Sequence, residues 1–302
     1  MLSPILIIAA VLSLGAAISN AFMQLCIRFG TERGKPTDAL LIVMLTNLAI
    51  LLPLVAIWYY PTYQLTTTAW IAFIIAGVFG TLLGRACMYT SISRIGASRT
   101  APIVATQALV AALLGMVLLG EQPTETHLAG IILIVAGVGV ITWETSHDNP
   151  DDLYRRELAI GLLIPFGSAL AYGAEPIYAN YGFREGTPSP VGLAIKTVAA
   201  TLGFTLYLHW RGALPEFTAI RSRTRRWFVL AGIANTLFLM CYYLALEIAP
   251  VSLVVPLHIT STLFVVVLSM AFMPSRLEQV TWQLAVASAV VVVGVALVVV
   301  SG

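Results

Sequence analysis

Apolar runs close to the length of a bilayer crossing follow one another along almost the whole chain. About 20 consecutive apolar residues cross a membrane as a helix. Polar breaks divide the 302 residues into ten such runs: 4–28, 38–59, 69–93, 97–119, 125–143, 158–181, 189–210, 226–247, 251–273 and 279–300. Only 10% of the residues are charged, whereas a soluble domain carries about 25%. The formal net charge of +2 gives no argument for a nucleic-acid partner. The first run lacks the charged start of a signal peptide and is too long for one, so it is read as a retained span. The breaks are short, so consecutive helices are expected to be antiparallel neighbours. The longest polar stretch, "ETSHDNPDDLYRRE" from Glu144 to Glu157, sits mid-chain, where a linker between halves belongs.

The punctuation recurs. Gly15, Gly30, Gly34 and Pro36 meet Gly167, Gly182, Gly186 and Pro188 at a constant offset of 152. Cys87, Tyr89, Ser98 and Pro102 meet Cys241, Tyr243, Ser252 and Pro256 at 154. Each copy holds five spans, an odd number, so the second enters the membrane from the opposite side, as in the inverted repeats of secondary transporters. The expected fold is an all-α integral membrane protein. Its ten transmembrane helices form two inverted five-helix repeats, 1–150 and 151–302, around a central cavity. The basic residues agree with the inversion. Arg28, Arg33, Lys35, Arg94, Arg99, Arg155, Arg156, Arg211, Arg221, Arg223, Arg225, Arg226 and Arg276 fall on one side, and Arg184 on the other. Positive residues mark the cytoplasm, which places both termini outside.

Two five-helix repeats, a Tyr-rich third helix and "RIGASRTAPI…LLGE" at the junction of the third and fourth helices resemble the EamA branch of the drug/metabolite transporter superfamily, over essentially the full chain. The resemblance implies a ten-helix carrier in the cell (plasma or inner) membrane. Its cavity would be lined by the first, third and fourth helices of each repeat. Members move amino acids, sugars, nucleobases and other small metabolites, often outward. Two features depart from the pattern. Gly120-Glu121 closes the fourth helix, but the second copy has Pro274-Ser275 there. Relatives also commonly keep both termini in the cytoplasm, against the charge count.

Ionisable residues inside a span are expensive and face a protein interior or a water-filled path. Arg85, Glu175, Lys196 and His258 are such residues, with Asn20, Gln24, Gln107 and Asn235 as uncharged companions. A guanidinium is a planar fork that fits a carboxylate or phosphate, so Arg85 reads as a substrate clamp or as a side chain reaching headgroups. Glu175 precedes Pro176, which disfavours helical geometry. It reads as a carboxylate on a broken or kinked helix, a proton carrier, or the partner of Arg85 or Lys196. Lys196 reads best as snorkelling to the interface. His258 either titrates near neutral pH or bonds a carbonyl. Pro102 reads as a first-turn residue of its helix, with a bend as the alternative. The expected substrate-binding set is Arg85, Glu175, Asn20, Gln107, Tyr89, Tyr172, Tyr243 and His258, with Glu175 and His258 as coupling candidates and the proton as coupling ion.

The favoured activity is export of a small polar metabolite, an amino acid or organic anion, by alternating access. Other expected partners are membrane lipids, and the state is monomer or homodimer. A lipid flippase on the same fold is the alternative. An integral membrane enzyme is disfavoured, because no HExxH, GxSxG or paired acid cluster lies within a span. Asp148, Asp151 and Asp152 fall in the linker. No P-loop is present, so this chain is not expected to use ATP. Cys26, Cys87 and Cys241 are odd in number and lack CxxC spacing, which argues against a disulfide framework or metal site. No cofactor is expected.

Overall fold

The computed structural model describes residues 4–107, 109–110, 114, 125–126, 129–130, 132–134, 136–137, 140, 152–216, 220–248, 254, 257–274 and 281–300. Every element among them is helical: α1 (Pro4–Thr31), α2 (Pro36–Trp58), α3 (Thr67–Ile95), α4 (Ala97–Val104), α5 (Asp152–Arg184), α6 (Ser189–Trp210), α7 (Ser222–Ile248), α8 (Ser261–Phe272) and α9 (Trp282–Val300). A helix satisfies its own backbone, which lipid cannot do. Five described helices are long and apolar enough to cross a membrane: Ile7–Thr31, Pro36–Trp58, Thr67–Ile95, Ser189–Trp210 and Ser222–Ile248. Shorter apolar helices follow at Leu257–Phe272 and Trp282–Gly294. Outward faces carry Ile8, Val11, Ile57, Leu206 and Val267, a surface suited to lipid, with Trp58 and Trp210 exposed at helix ends. Parts of the expected spans 97–119 and 125–143, together with Gly120, Glu121, Ser252 and Pro256, lie outside the described residues.

α3 starts on Thr66, whose hydroxyl accepts from the Ala69 N–H at 3.1 Å, a side-chain N-cap. Its middle, Gly77–Gly84, is a π-helical segment. Wider turns of this kind are rare and recur at functional sites. α3 stops at Gly96, where φ is 91°; glycine takes that conformation without the Cβ penalty. The chain reverses at once into α4, the short junction expected between the third and fourth spans.

Pro102 sits well inside α4 rather than in its first turn. It cannot donate to the Ser98 carbonyl, and the helix ends two residues later, so the bend is the reading the structure supports. Thr106 then closes a turn, its hydroxyl donating to the Ile103 carbonyl at 2.7 Å. At the same offset of 154, Thr260 interrupts helix and donates to the Leu257 carbonyl at 2.5 Å.

The long helices cross-pack. A β-carbon at Gly15 would lie 3.9 Å from Cys241 Sγ, and one at Gly167 3.5 Å from Cys87 Sγ. Gly30 lies under the Phe228 ring, and Gly182 under the Phe73 ring. These glycines let backbones approach closely, as helix association in lipid requires. At one end of the bundle Arg33 and Lys35 share a depression with Arg221. Arg28 donates there to the carbonyls of Ile92 (3.3 Å) and Ser93 (3.0 Å). At the other end the Thr187 hydroxyl donates to the Gln64 carbonyl at 2.9 Å.

Candidate substrate cavity

A cavity of about 610 Å³ opens between α1, α3, α4, α5, α7 and the start of α8. These elements carry the first, third and fourth spans of each half. Asn20, Arg85, Gln107, Tyr172, Glu175, Tyr243 and His258, seven of the eight residues in the expected binding set, line it. Tyr89 does not. It packs in the apolar core with Met23 and Met44, and its hydroxyl has no hydrogen-bond partner among the described residues. It lies roughly 100° around α3 from Met88, the neighbour that faces the cavity.

Glu175 forms the polar centre of one wall. Its Oε1 accepts from Lys196 Nζ and from the Tyr243 hydroxyl. Lys196 Nζ also donates to the Tyr243 oxygen at 2.8 Å and lies 4.7 Å from the centre of that ring. Lys196 is 1% exposed and Glu175 12%. The snorkelling expectation for Lys196 is therefore overturned: its ammonium turns inward to a carboxylate instead of outward to headgroups. A buried ion needs such a partner. Glu175 and Tyr243 line the cavity, while Lys196 supports them from behind. The chain held a signal for this pair. Glu175 stands ten residues before Glu185 in the sixth span, and Lys196 eight after Pro188 in the seventh. In adjacent antiparallel helices rising about 1.5 Å per residue, both groups reach nearly the same depth.

α5 runs unbroken through Glu175 and Pro176, so of the broken or kinked helix expected there the break does not form. The irregular element faces it. Within the π segment, a β-carbon at Gly77 would collide with the Lys196 backbone carbonyl, and one at Gly80 with Glu175 Oε2. At Gly84 it would press on the Tyr172 ring, 2.8 Å from Cε1. The glycines of α3 make room for the acid and its partner.

Arg85 is 3% exposed, and its head is held inside the bundle, which removes the headgroup reading. The Asn47 carboxamide, oriented by its neighbours, accepts from Arg85 Nη1 at 3.2 Å and Asn235 Nδ2 at 2.8 Å. Its nitrogen donates to the Gly232 carbonyl at 3.1 Å and the Thr236 hydroxyl at 2.8 Å. The guanidinium also lies against the Tyr172 hydroxyl, which donates to Met88 Sδ at 3.5 Å. These partners are all neutral.

Elsewhere on the lining Asn20 Nδ2 donates to Ser261 Oγ at 3.2 Å. His258 stacks on Phe238 (4.9 Å between centroids) beside Tyr242 (4.8 Å). Gln24 Oε1, Asn235 Oδ1 and His258 Nδ1 are buried on the lining without a hydrogen-bond partner among the described residues. Gln24 and Asn235, which are not in the expected binding set, also line the cavity. No group of three metal-ligating side chains occurs among the described residues.

A multi-pass helical membrane protein with buried charged side chains on the wall of a cavity between its helices fits the transporter class. Comparison with known proteins agrees. The EamA-like transporter family matches over residues 7–143 and again over 159–300. The chain belongs to that family, within the drug/metabolite transporter superfamily. A protein of Lactiplantibacillus plantarum, provisionally named a sugar uptake protein, is 30% identical over 131 residues, covering 42% of this chain and 45% of the relative. The match thus spans less than half of that relative. A solved crystal structure shares the fold at 16% identity, with a TM-score of 0.66 over 96% of this chain and 95% of the other. Family and relative point to a transporter rather than an enzyme.

Proposed function

We propose that the chain is a secondary-active carrier. It moves a small polar metabolite, an organic anion or an amino acid, through the 610 Å³ cavity by alternating access. The observation that carries this reading is Arg85, a buried cation on the cavity wall held only by neutral groups among the described residues. A buried charge without an opposite partner is costly, and an anionic solute supplies one. Alternating access rests on two inverted five-helix repeats, 1–150 and 151–302. The reciprocal pairs Gly15–Cys241 and Gly167–Cys87 support them, as do the matching turns at Thr106 and Thr260 and the basic loops gathered at one end. The cell membrane is the proposed location.

Glu175 is the proposed coupling group, with His258 as the second. Protonation of Glu175 would release Lys196 and loosen the contact of α5 with α6 and α7. The family resemblance implies export, whereas the provisional name of the L. plantarum relative describes uptake of a sugar. Counterflow and net flux in proteoliposomes read substrate and direction together. Arg85→Ala is expected to abolish flux, and Glu175→Gln to remove its response to an imposed pH gradient. Full flux in the first variant rejects the site, and an unchanged pH response in the second rejects the coupling.

A further inference from the structure

The cavity has two unmet demands, and together they define a ligand. The first is charge. Glu175 Oε1 is taken by Lys196 and Tyr243, and Oε2 is packed against Gly80. That acid is neutralised from within the protein and offers little to a substrate ammonium. Among the described residues Arg85 has no such match, and Arg184, exposed at the end of α5, adds positive charge on the approach. The site is therefore one negative charge short. The second demand is for hydrogen-bond donors. Gln24 Oε1, Asn235 Oδ1 and His258 Nδ1 are buried, without a hydrogen-bond partner among the described residues, and set on three different elements around the cavity. Buried acceptors without donors are costly. Neutral amide oxygens and an imidazole nitrogen suit hydroxyls, which both donate and accept, whereas a buried ammonium needs an anion.

We propose that the cavity takes a polyhydroxylated monoanion of the sugar-acid class, its carboxylate on Arg85 and its hydroxyls on Gln24, Asn235 and His258. This rests on the carrier reading above for its biological use, but the two fail separately. A simple carboxylate answers only the charge, a neutral sugar only the acceptors, and an amino acid brings an ammonium that the Lys196-bound acid cannot receive.

The test uses the purified full chain and four probes. They are gluconate, hexanoate with the same carbon count and no hydroxyls, glucose with hydroxyls and no charge, and glycine as a zwitterion. Calorimetry should give gluconate a Kd at least about tenfold below the other three, since a site built around substrate hydroxyls rejects analogues lacking them. Gln24→Met should weaken gluconate about tenfold and leave hexanoate unchanged. Arg85→Gln should erase the preference of gluconate over glucose. Arg85→Lys, which keeps the charge, should retain part of it and serves where the glutamine variant does not fold. Any other probe binding as tightly as gluconate, or no probe binding, overturns the proposal. Counterflow of a different solute by a protein that ignores gluconate overturns it and leaves the carrier standing. Gluconate binding without counterflow overturns the carrier and leaves this assignment standing.

Discussion

Replacing Lys196 with methionine should show whether the ion pair is a buried structural unit. The chain supplies its own precedent. At the offset of 152, Met23 stands where Glu175 does and Met44 where Lys196 does; Tyr89 stands 154 before Tyr243. All three pack in one apolar cluster. Removing one partner of a buried pair costs about 3–5 kcal/mol, because the survivor stays buried and uncompensated. Glu175 touches the cavity, and Tyr243 still donates to it, so Lys196→Met belongs near the lower end, about 3 kcal/mol. Glu175→Met strands Lys196, which is 1% exposed, and should cost more, about 4–5 kcal/mol. The double variant recreates the methionine pair of the first half and should lie within roughly 1 kcal/mol of the parent, since apolar replacement of a whole buried pair is often neutral or better. Equilibrium unfolding in mixed micelles, run as a double-mutant cycle, measures all three values. A cost below about 1 kcal/mol for Lys196→Met would mean that the ammonium reaches water. A double variant as unstable as the worse single one would refute the pairing.

Other consequences are read in the same assay. Gly77→Ala drives a methyl into the Lys196 backbone and should cost about 1–3 kcal/mol or more. Gly80→Ala meets the end of the Glu175 side chain, which can shift, so it should cost less in stability but reduce flux. Gly203→Ala, whose new methyl would lie 4.0 Å from Leu82, should be neutral or gain up to about 1 kcal/mol of helix propensity. Tyr89→Phe removes a buried hydroxyl that has no partner among the described residues and should leave both midpoint and flux unchanged or slightly raised. Asn47→Leu takes the shared acceptor from Arg85 and Asn235 and should cost about 1–3 kcal/mol while weakening any anion held by Arg85.

The helices could be read because a bilayer imposes a length and apolar runs answer it residue by residue. The cavity residues could be read because a polar group in lipid is expensive enough to need a purpose: Asn20, Arg85, Gln107, Glu175 and His258 all reach one space. Partner choice was harder. Lys196, eight residues past Pro188, matches Glu175 in depth, but depth alone does not say whether it turns to headgroups or to the neighbouring helix, and the packing of α5 against α6 decides. The π segment was hidden for a related reason. The spacing of Gly77, Gly80 and Gly84 suits close helix packing, and nothing in that pattern says which turn widens. The failure at Tyr89 is the most instructive. Its offset from Tyr243 made the two look equivalent, but a tyrosine follows its hydrogen-bond partners. Tyr243 has Glu175 and Lys196, whereas the matching positions near Tyr89 are methionines.

That contrast makes the repeat itself testable by construction. If the halves are copies of one unit, Met23→Glu with Met44→Lys should place an acid and an amine beside Tyr89 as Glu175 and Lys196 stand beside Tyr243. Met23 lines the cavity and is 2% exposed, and Met44 is fully buried. Met23→Glu alone therefore buries a lone carboxylate, and Met44→Lys alone a lone ammonium, each costing several kcal/mol. The Tyr89 hydroxyl, without a hydrogen-bond partner among the described residues, is there to offer the acid. The combined variant should recover at least about 2 kcal/mol relative to the sum of the two singles, at the upper range of coupling between contacting residues. Introduced charges that did not sit in corresponding places would stay apart, and their costs would simply add. Additive losses would mean that the spacing match at 152 and 154 reflects recurring helix punctuation rather than two superposable halves.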